Sequence, residues 1–327
     1  MKNALITGVY GQDGSYLCEL LKEDGYEIHG VCKKELSPNS AMIKQELLQE
    51  SISVLEHTSS LYDFASVYEL IEDISPDVVF HMAAIHRSSS GRENDIVFDE
   101  KELFDKNVLA TSNILAACFS LIPETRVVVA GSCLMYDATS GVAQDENTPF
   151  CSNSLYGLAK ITENHLVEYY RKKGMFACMP ILYNHESHRR SEMFVTKKIA
   201  VGLNNIKNGV SNELVIGDLD VKKDWGYAKD YAVAMKLMSE APNPVDYIVS
   251  SGETHSIRDY IEMCAGVIEL EDWEKYIKVN SNILTRDNRS CLRGIPQKCI
   301  EELGWNRKLD FKGLVSEIVN FHYKGED

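Results

Sequence analysis

The chain has 327 residues, 44% of them hydrophobic and 25% charged, enough for one large or two ordinary domains around a substantial core. Its net charge of -15 argues against a nucleic-acid partner, which demands Lys and Arg surfaces, and leaves room only for local basic patches facing a phosphorylated small molecule. The nine cysteines show neither C-x-x-C nor metal-ligand spacing and no apolar run approaches the roughly 20 residues of a membrane helix, so we expect a cytoplasmic protein with free thiols, no metal, no membrane partner and no targeting segment.

Asn3–Thr7 reads as a short apolar strand that runs into Gly8-Val9-Tyr10-Gly11-Gln12-Asp13-Gly14, after which helical periodicity extends from Ser15 to Asp24. A G-x-x-G-x-x-G turn between strand and helix brings backbone close to a pyrophosphate, and the helix start offers it free N–H groups and a positive dipole end. Gly8, Gly11, Gln12, Asp13 and Gly14 are therefore candidate dinucleotide-binding residues. A second strand, Glu27–Val31, ends in Cys32-Lys33-Lys34, where an acidic residue would grip a free ribose 2′-hydroxyl. Lys33 and Lys34 suit a 2′-phosphate, which favours NADP(H) over NAD(H); Ser37-Pro38-Asn39-Ser40 continues that loop. Strands follow at Ile52–Glu56 and Asp77–Met82, separated by a helical segment from Ser66 to Asp73. Ala83 and Ala84, at the tip of the fourth strand, are small enough for cofactor to lie against the backbone.

Residues 87–102 are polar, lack apolar periodicity and read as a surface excursion; a helix from Phe104 to Ser120 comes next, with Asn107 either bridging backbone groups or lying at the surface. The fifth strand, Arg126–Ala130, is almost wholly aliphatic, as expected at the centre of a parallel sheet, and delivers Ser132 to the carboxyl edge where open sheets bind ligands. A helix carrying Tyr156 and Lys160 extends to about Lys173, and a sixth strand spans Phe176–Tyr183. Alternation of strand and helix predicts an α/β fold, a parallel sheet with helices on both faces. Farther on, Tyr247–Ser250 reads as a strand returning to that sheet, and Ile257–Leu270 and Phe311–Tyr323 as amphipathic helices.

Tyr156 and Lys160 lie one turn apart on one side of their helix, so the ammonium favours the phenolate and, with an oxidised nicotinamide, is expected to pull the tyrosine toward neutrality. Ser132 supplies a second hydrogen bond to a substrate oxygen. Together the three residues would move a proton on or off a carbinol while a hydride leaves or reaches the same carbon.

Further runs are Thr7-Gly8 and Gly11 through Leu17; Asn184-His185-Glu186-Ser187 with Arg189-Arg190; Phe194 through Ile199; Asp224-Trp225-Gly226; Ala228 through Tyr231; and Gly252 through Ser256. On these residues the chain resembles the extended short-chain dehydrogenases/reductases and, among them, the GDP-mannose 4,6-dehydratases, from residue 1 to about 260 with a looser echo at Leu303-Gly304-Trp305. The resemblance implies a Rossmann-type doubly wound parallel sheet in residues 1–180, with a returning strand near 245–252, and a smaller nucleotide-sugar-binding domain mainly in 181–327. It also implies a homo-oligomer, dimer or tetramer, and a GDP-linked substrate. On the substrate side it points to Asn184 and Glu186, to Arg190, Lys198 and Arg286 as neutralising cations, and to Lys223 where the family usually has arginine.

One departure bears on the reaction. Dehydratases of this family typically read Thr-Ser-Glu at the catalytic strand end, the glutamate taking the C5 proton and helping to expel water, whereas this chain has Ser132-Cys133-Leu134. C4 oxidation and reduction should survive on Ser132, Tyr156 and Lys160, but elimination loses its base, and a buried Cys133 reads as packing. The resulting expectation is an NAD(P)-dependent oxidoreductase at C4 of a GDP-hexose or GDP-heptose: a ketoreductase, a 4-dehydrogenase or an epimerase. A 4,6-dehydratase with a displaced base and a non-catalytic nucleotide-sugar-binding subunit are the alternatives.

Overall fold

A computed structural model describes residues 2–85, 96–136, 141–280 and 292–323. Strands β1 (Lys2–Thr7), β2 (Tyr26–Val31), β3 (Leu55–His57), β4 (Val78–His81), β5 (Arg126–Val129) and β6 (Ala177–Cys178) form one sheet in the order β3-β2-β1-β4-β5-β6, with every pairing parallel. The helices between them are α1 (Gln12–Glu23), α2 (Pro38–Gln49), α3 (Phe64–Ile74), α4 (Ile96–Leu121) and α5 (Leu155–Lys172). Crossovers leave β1 in one direction and β4 in the other, so a crevice opens at the carboxyl ends of these two neighbours, the place where such sheets take ligands. Apolar side chains pack on both faces, Ile6, Phe80 and Val128 on one and Leu5, Val79, Val127 and Val129 on the other. This two-sided burial explains why β5 is aliphatic after Arg126 rather than alternating.

Several elements differ from the sequence reading: β3, read at Ile52–Glu56, is Leu55–His57, and the strand read at Tyr247–Ser250 as returning to the main sheet does not join its six strands. The segment read as a loop at 37–40 opens α2: Ser37 caps it by accepting from the Ser40 N–H at 3.1 Å, and Pro38 occupies the first turn, where a missing N–H costs nothing. Helix α4 begins at Ile96, and residues 87–95 of the expected excursion lie outside the described residues. The single strand expected at 176–183 is β6 followed by β7 (Pro180–Leu182). The ladder breaks because Pro180 has no N–H and the Met179 N–H turns instead to Asp246 Oδ1 at 2.7 Å.

Beyond β7 come β8 (Asn184–Glu186), α6 (Val195–Lys207), β9 (Leu214–Ile216), β10 (Lys222–Lys223), β11 (Trp225–Tyr227), α7 (Ala228–Glu240), β12 (Tyr247–Val249), β13 (His255–Ser256), α8 (Ile257–Val267), β14 (Ile277–Val279), α9 (Gln297–Leu303) and α10 (Phe311–Tyr323). Strand β12 pairs in parallel with β7, and β8 pairs with β11. A separate core, built from residues such as Leu203, Trp225, Tyr260, Ile261, Leu314 and Ile318, joins α6, α8 and α10.

Candidate active site

Gly8 ends β1 with φ +71°, a left-handed conformation that glycine adopts without strain, and a Cβ there would stand 3.1 Å from the Ala83 backbone at the tip of β4. Gly14 is held closer still: a Cβ would lie 2.5 Å from the Gly8 carbonyl oxygen. The turn therefore folds tightly onto the crevice floor, and Gly11 at the head of α1 offers no capping side chain, leaving the first N–H groups of the helix to a ligand. This cradle fits the pyrophosphate of a dinucleotide. Ala83 donates its N–H to Thr7 Oγ1, which also bonds His81 Nδ1 at 2.7 Å. His81 is fully buried and its pKa falls to about 3, first through burial and then through the nearby Lys160 charge, so the floor is neutral. Beyond it Ala84 is exposed, and the Ile85 N–H and C=O are both held by the Asn107 amide, at 2.8 and 3.0 Å. Asn107 thus bridges backbone from within the fold.

Two predicted cofactor residues face inward. Gln12 donates to the His185 carbonyl at 3.0 Å and accepts from Ser187, which ties the start of α1 to the strand after β7. Asp13 lies 3.0 Å from His185 Nε2; burial opposes its charge, but His185 and then Arg190 outweigh that and hold its carboxyl below the ordinary range. Lys33 and Lys34 are exposed at the end of β2.

The candidate catalytic residues come together where β5 meets the first turn of α5. Ser132 follows β5 and its Oγ accepts from the Leu134 N–H at 3.2 Å, closing a tight 3-10 turn over 133–135. Helix α5 is capped by Ser154, which accepts from the Gly157 N–H, and Gly157 sits against that turn so closely that a Cβ would lie 2.1 Å from the Leu134 carbonyl oxygen. Glycine is thus required for Tyr156 to approach Ser132. Lys160 Nζ lies 5.9 Å from the centre of the Tyr156 ring and is itself buried, 3.0 Å from Glu163 Oε2. For Tyr156 burial is the largest influence and raises its pKa, Lys160 pulls it down in the direction expected of the ammonium, Glu163 pushes it up again and Arg190 pulls it back.

On the substrate side, Asn184 donates to the Asp224 carbonyl at 3.3 Å, and buried Glu186 accepts from Thr196 and faces Arg190 Nε at 3.4 Å. Arg190 lies over the Phe194 ring and within electrostatic reach of Asp13, His185 and Tyr156, so it borders both the glycine turn and Tyr156. Lys198 donates to the Val215 carbonyl at 2.8 Å, and Lys223 is half-buried where β10 pairs with β13. Arg286 lies outside the described residues.

The model of the family described as GDP-mannose 4,6 dehydratase matches residues 5–318. The chain belongs to that family. It is 35% identical to GDP-mannose 4,6 dehydratase 2 of Arabidopsis thaliana, an alignment covering 98% of this chain and 86% of the relative. Its fold is shared with dTDP-glucose 4,6-dehydratase of Bacillus anthracis, solved in complex with NAD, at a TM-score of 0.83 and 17% identity, covering 100% and 98% of the two chains. The structure of RMD from Pseudomonas aeruginosa complexed with NADPH superposes at a TM-score of 0.78 with 20% identity over 99% of each chain. The protein is accordingly a nucleotide-sugar enzyme of the short-chain dehydrogenase/reductase type.

In this member of the GDP-mannose 4,6 dehydratase family, two functional neighbours escaped the sequence reading. Glu163 is one; its signal was its place at i+7 from Tyr156 and i+3 from Lys160, on the same helical stripe. Arg189 is the other. It is buried between Glu19 of α1 at 2.5 Å and Glu46 of α2 at 2.9 Å, while His188 bonds Glu46 and Glu317 of α10. Pairing across such distances in sequence leaves no periodic trace. Among the described residues no His, Cys, Asp and Glu cluster is arranged to hold a metal, and no helix is long and apolar enough to cross a membrane.

Proposed function

We propose that the protein is an NAD(P)-dependent oxidoreductase that acts at C4 of a GDP-linked hexose or heptose and leaves C5 and C6 untouched. The observation that carries this reading is Leu134: it occupies the turn directly after Ser132, and an isobutyl side chain neither takes a proton from C5 nor gives one to a departing hydroxyl. The other strong electrostatic influences on Tyr156 come from Lys160, Glu163, Cys133 and Arg190, and the carboxylate among them is already engaged by Lys160 and Thr111.

The residues fit a nicotinamide dinucleotide: the glycine turn and α1 start would hold its pyrophosphate, Ala83 and Ala84 its flank, and Lys160 its ribose. Bound there, it supplies the hydride acceptor or donor. Ser132 orients the C4 oxygen, and Tyr156 takes the C4 hydroxyl proton on oxidation or returns it on reduction. Lys33 and Lys34 favour a 2′-phosphate and hence NADP(H); Glu56, which reaches within 4.0 Å of the Cys32 sulfur, is already paired with Lys44 at 2.5 Å and with the Tyr10 hydroxyl. Substrate diphosphate would lie near Asn184, Glu186 and Arg190, with Lys198, Lys223 and Arg286 as further cations. Residues 1–180 with the returning β12 would form the cofactor domain and 181–327 most of the substrate domain. Exposed Leu109, Leu155, Leu158 and Tyr169 on α4 and α5 suit pairing with a second copy of the chain in the cytoplasm.

Mass spectrometry of GDP-mannose incubated with the protein and NADP or NAD tests the reading. Loss of two hydrogens, or no change with GDP-mannose and reduction of a GDP-4-keto sugar by NADPH, is expected. Loss of one water would instead establish the family's dehydration and overturn it.

A further inference from the structure

We propose that Lys44 of α2 is a specificity-determining residue of the cofactor site: with Lys33 and Lys34 it completes a three-lysine seat for a 2′-phosphate, and Glu56 of β3 holds it there and limits how strongly that phosphate is preferred over a free 2′-hydroxyl. The inference rests on the dinucleotide part of the reading above and names the residues that decide between NADP(H) and NAD(H).

The end of β2 is where a dinucleotide-binding sheet grips the adenosine ribose, through an acidic side chain when the 2′-hydroxyl is free. Here Cys32 follows β2, with Lys33 and Lys34 exposed beside it. A carboxylate reaches the same place from the neighbouring strand: Glu56 Oε2 stands 4.0 Å from the Cys32 sulfur. Glu56 Oε1 accepts from the Tyr10 hydroxyl at 2.6 Å and pairs with Lys44 Nζ at 2.5 Å. Tyr10 belongs to the glycine turn, so that turn, the end of β2, β3 and α2 all meet at this point. Lys44 arrives there because residues 38–49 are helical: Ile43 and Leu47 turn into the core, and the Lys44 ammonium comes 5.6 Å from the centre of the Tyr10 ring.

The Lys44 and Glu56 side chains are each 36% exposed, so a ligand can reach the pair. Hydrogen bonds from Lys44 and then Tyr10 keep the Glu56 carboxyl below its ordinary range, while burial and then Glu56 hold the Tyr10 phenol above its own; Glu56 is therefore an anion and Tyr10 a donor at neutral pH. An ammonium has three donors, and those that Glu56 does not take are left for phosphate oxygens. A 2′-phosphate would thus meet three cations and one anion, whereas a neutral hydroxyl responds weakly to either sign. Cofactor preference is the difference between those two affinities. Removing Lys44 takes away a cation and turns an unpaired Glu56 on the phosphate; neutralising Glu56 removes the repulsion and leaves the cation. The two changes act in opposite directions, but a pair that merely braced α2 against β3 would be weakened alike from either side.

Isothermal titration calorimetry of the full-length protein with adenosine 2′,5′-bisphosphate and with 5′-AMP compares the two ribose ends without nicotinamide, sugar or turnover. Lys44→Met should weaken the bisphosphate about tenfold, Glu56→Gln should tighten it about threefold, and 5′-AMP should change by less than about twofold in either variant. Lys44→Arg, which keeps the charge, should bind the bisphosphate within about threefold of wild type. A Lys44→Met variant that binds the bisphosphate like wild type, a loss shared equally by both nucleotides, or a Glu56→Gln variant that binds the bisphosphate more weakly would overturn the proposal. Failure of the wild-type protein to bind either nucleotide would remove the dinucleotide reading and the proposal with it. A protein that shows these shifts yet does nothing at C4 would count against the proposed reaction alone.

Discussion

Gly157→Ala offers a direct test of how the site is assembled. The added Cβ would meet the Ser152 hydroxyl at 2.0 Å and the Leu134 carbonyl oxygen at 2.1 Å. The serine can rotate away, but the carbonyl belongs to the 3-10 turn whose N–H at the same residue bonds Ser132 Oγ. A Cβ contact below 3.0 Å forces a shift, so α5 and the turn must separate by about 1 Å. Tyr156 moves with the helix and Ser132 with the turn. A displacement of that size between catalytic groups costs on the order of 10²-fold in rate, and the strained packing about 1–3 kcal/mol in stability. The assay is spectrophotometric C4 oxidation or 4-keto reduction in the variant, with cofactor affinity measured separately by fluorescence. We expect turnover to fall about 10²-fold while cofactor affinity changes by less than about threefold, because the glycine turn after β1 is untouched. An alanine variant that turns over at the wild-type rate would show that the contact relaxes without parting Ser132 from Tyr156, and would refute the reasoning.

Arg189→Ala removes the buried cation that Glu19 and Glu46 share, leaving Glu19 with Lys229 and Glu46 with His188, so unfolding by urea should show a loss of about 1.5–3 kcal/mol. A variant as stable as wild type would deny that the pairing joins α1, α2 and the segment after β8. His188 carries a pH dependence in the same cluster: burial opposes its charge, but Glu317 and Glu46 outweigh it and raise its pKa. That stabilisation is fully present below about pH 6.5 and is lost as pH rises through the raised value, each unit of elevation contributing about 1.4 kcal/mol. Melting temperature should therefore drop on the alkaline side in wild type and less so in His188→Gln; parallel curves would exclude the mechanism. Replacing Lys33 and Lys34 together by Ala should raise KM for NADP by about tenfold with little effect on NAD, an equal effect on both cofactors being the contrary result. Leu134→Glu should introduce water loss from a bound 4-keto hexose, detectable by mass; its absence would place the dehydration base elsewhere in the family's site.

The central architecture and the candidate trio of Ser132, Tyr156 and Lys160 are legible in the chain because they rest on local patterns. An aliphatic strand, a glycine turn, a cap and an i, i+4 pair each span a few residues, so periodicity and spacing reveal β1, α1, β5 and the Tyr156–Lys160 stripe. Helix α2 was hidden because Ser37 and Pro38, which can form a loop, here form a cap, and the choice is made by Ile43 and Leu47 burying against the sheet core. Whether Tyr156 is held as phenol or phenolate was also beyond sequence. Two charges four residues apart give the sign of one interaction, but the burial that opposes it and the Thr111 contact that fixes Glu163 come from α4, some 50 positions away in the chain. The Glu19–Arg189–Glu46 pairing is of the same kind. Local composition determined which elements could form and which residues are candidates for chemistry. Packing of elements distant in sequence decided which charges meet and how far water is excluded from them, since both depend on three-dimensional distance and burial.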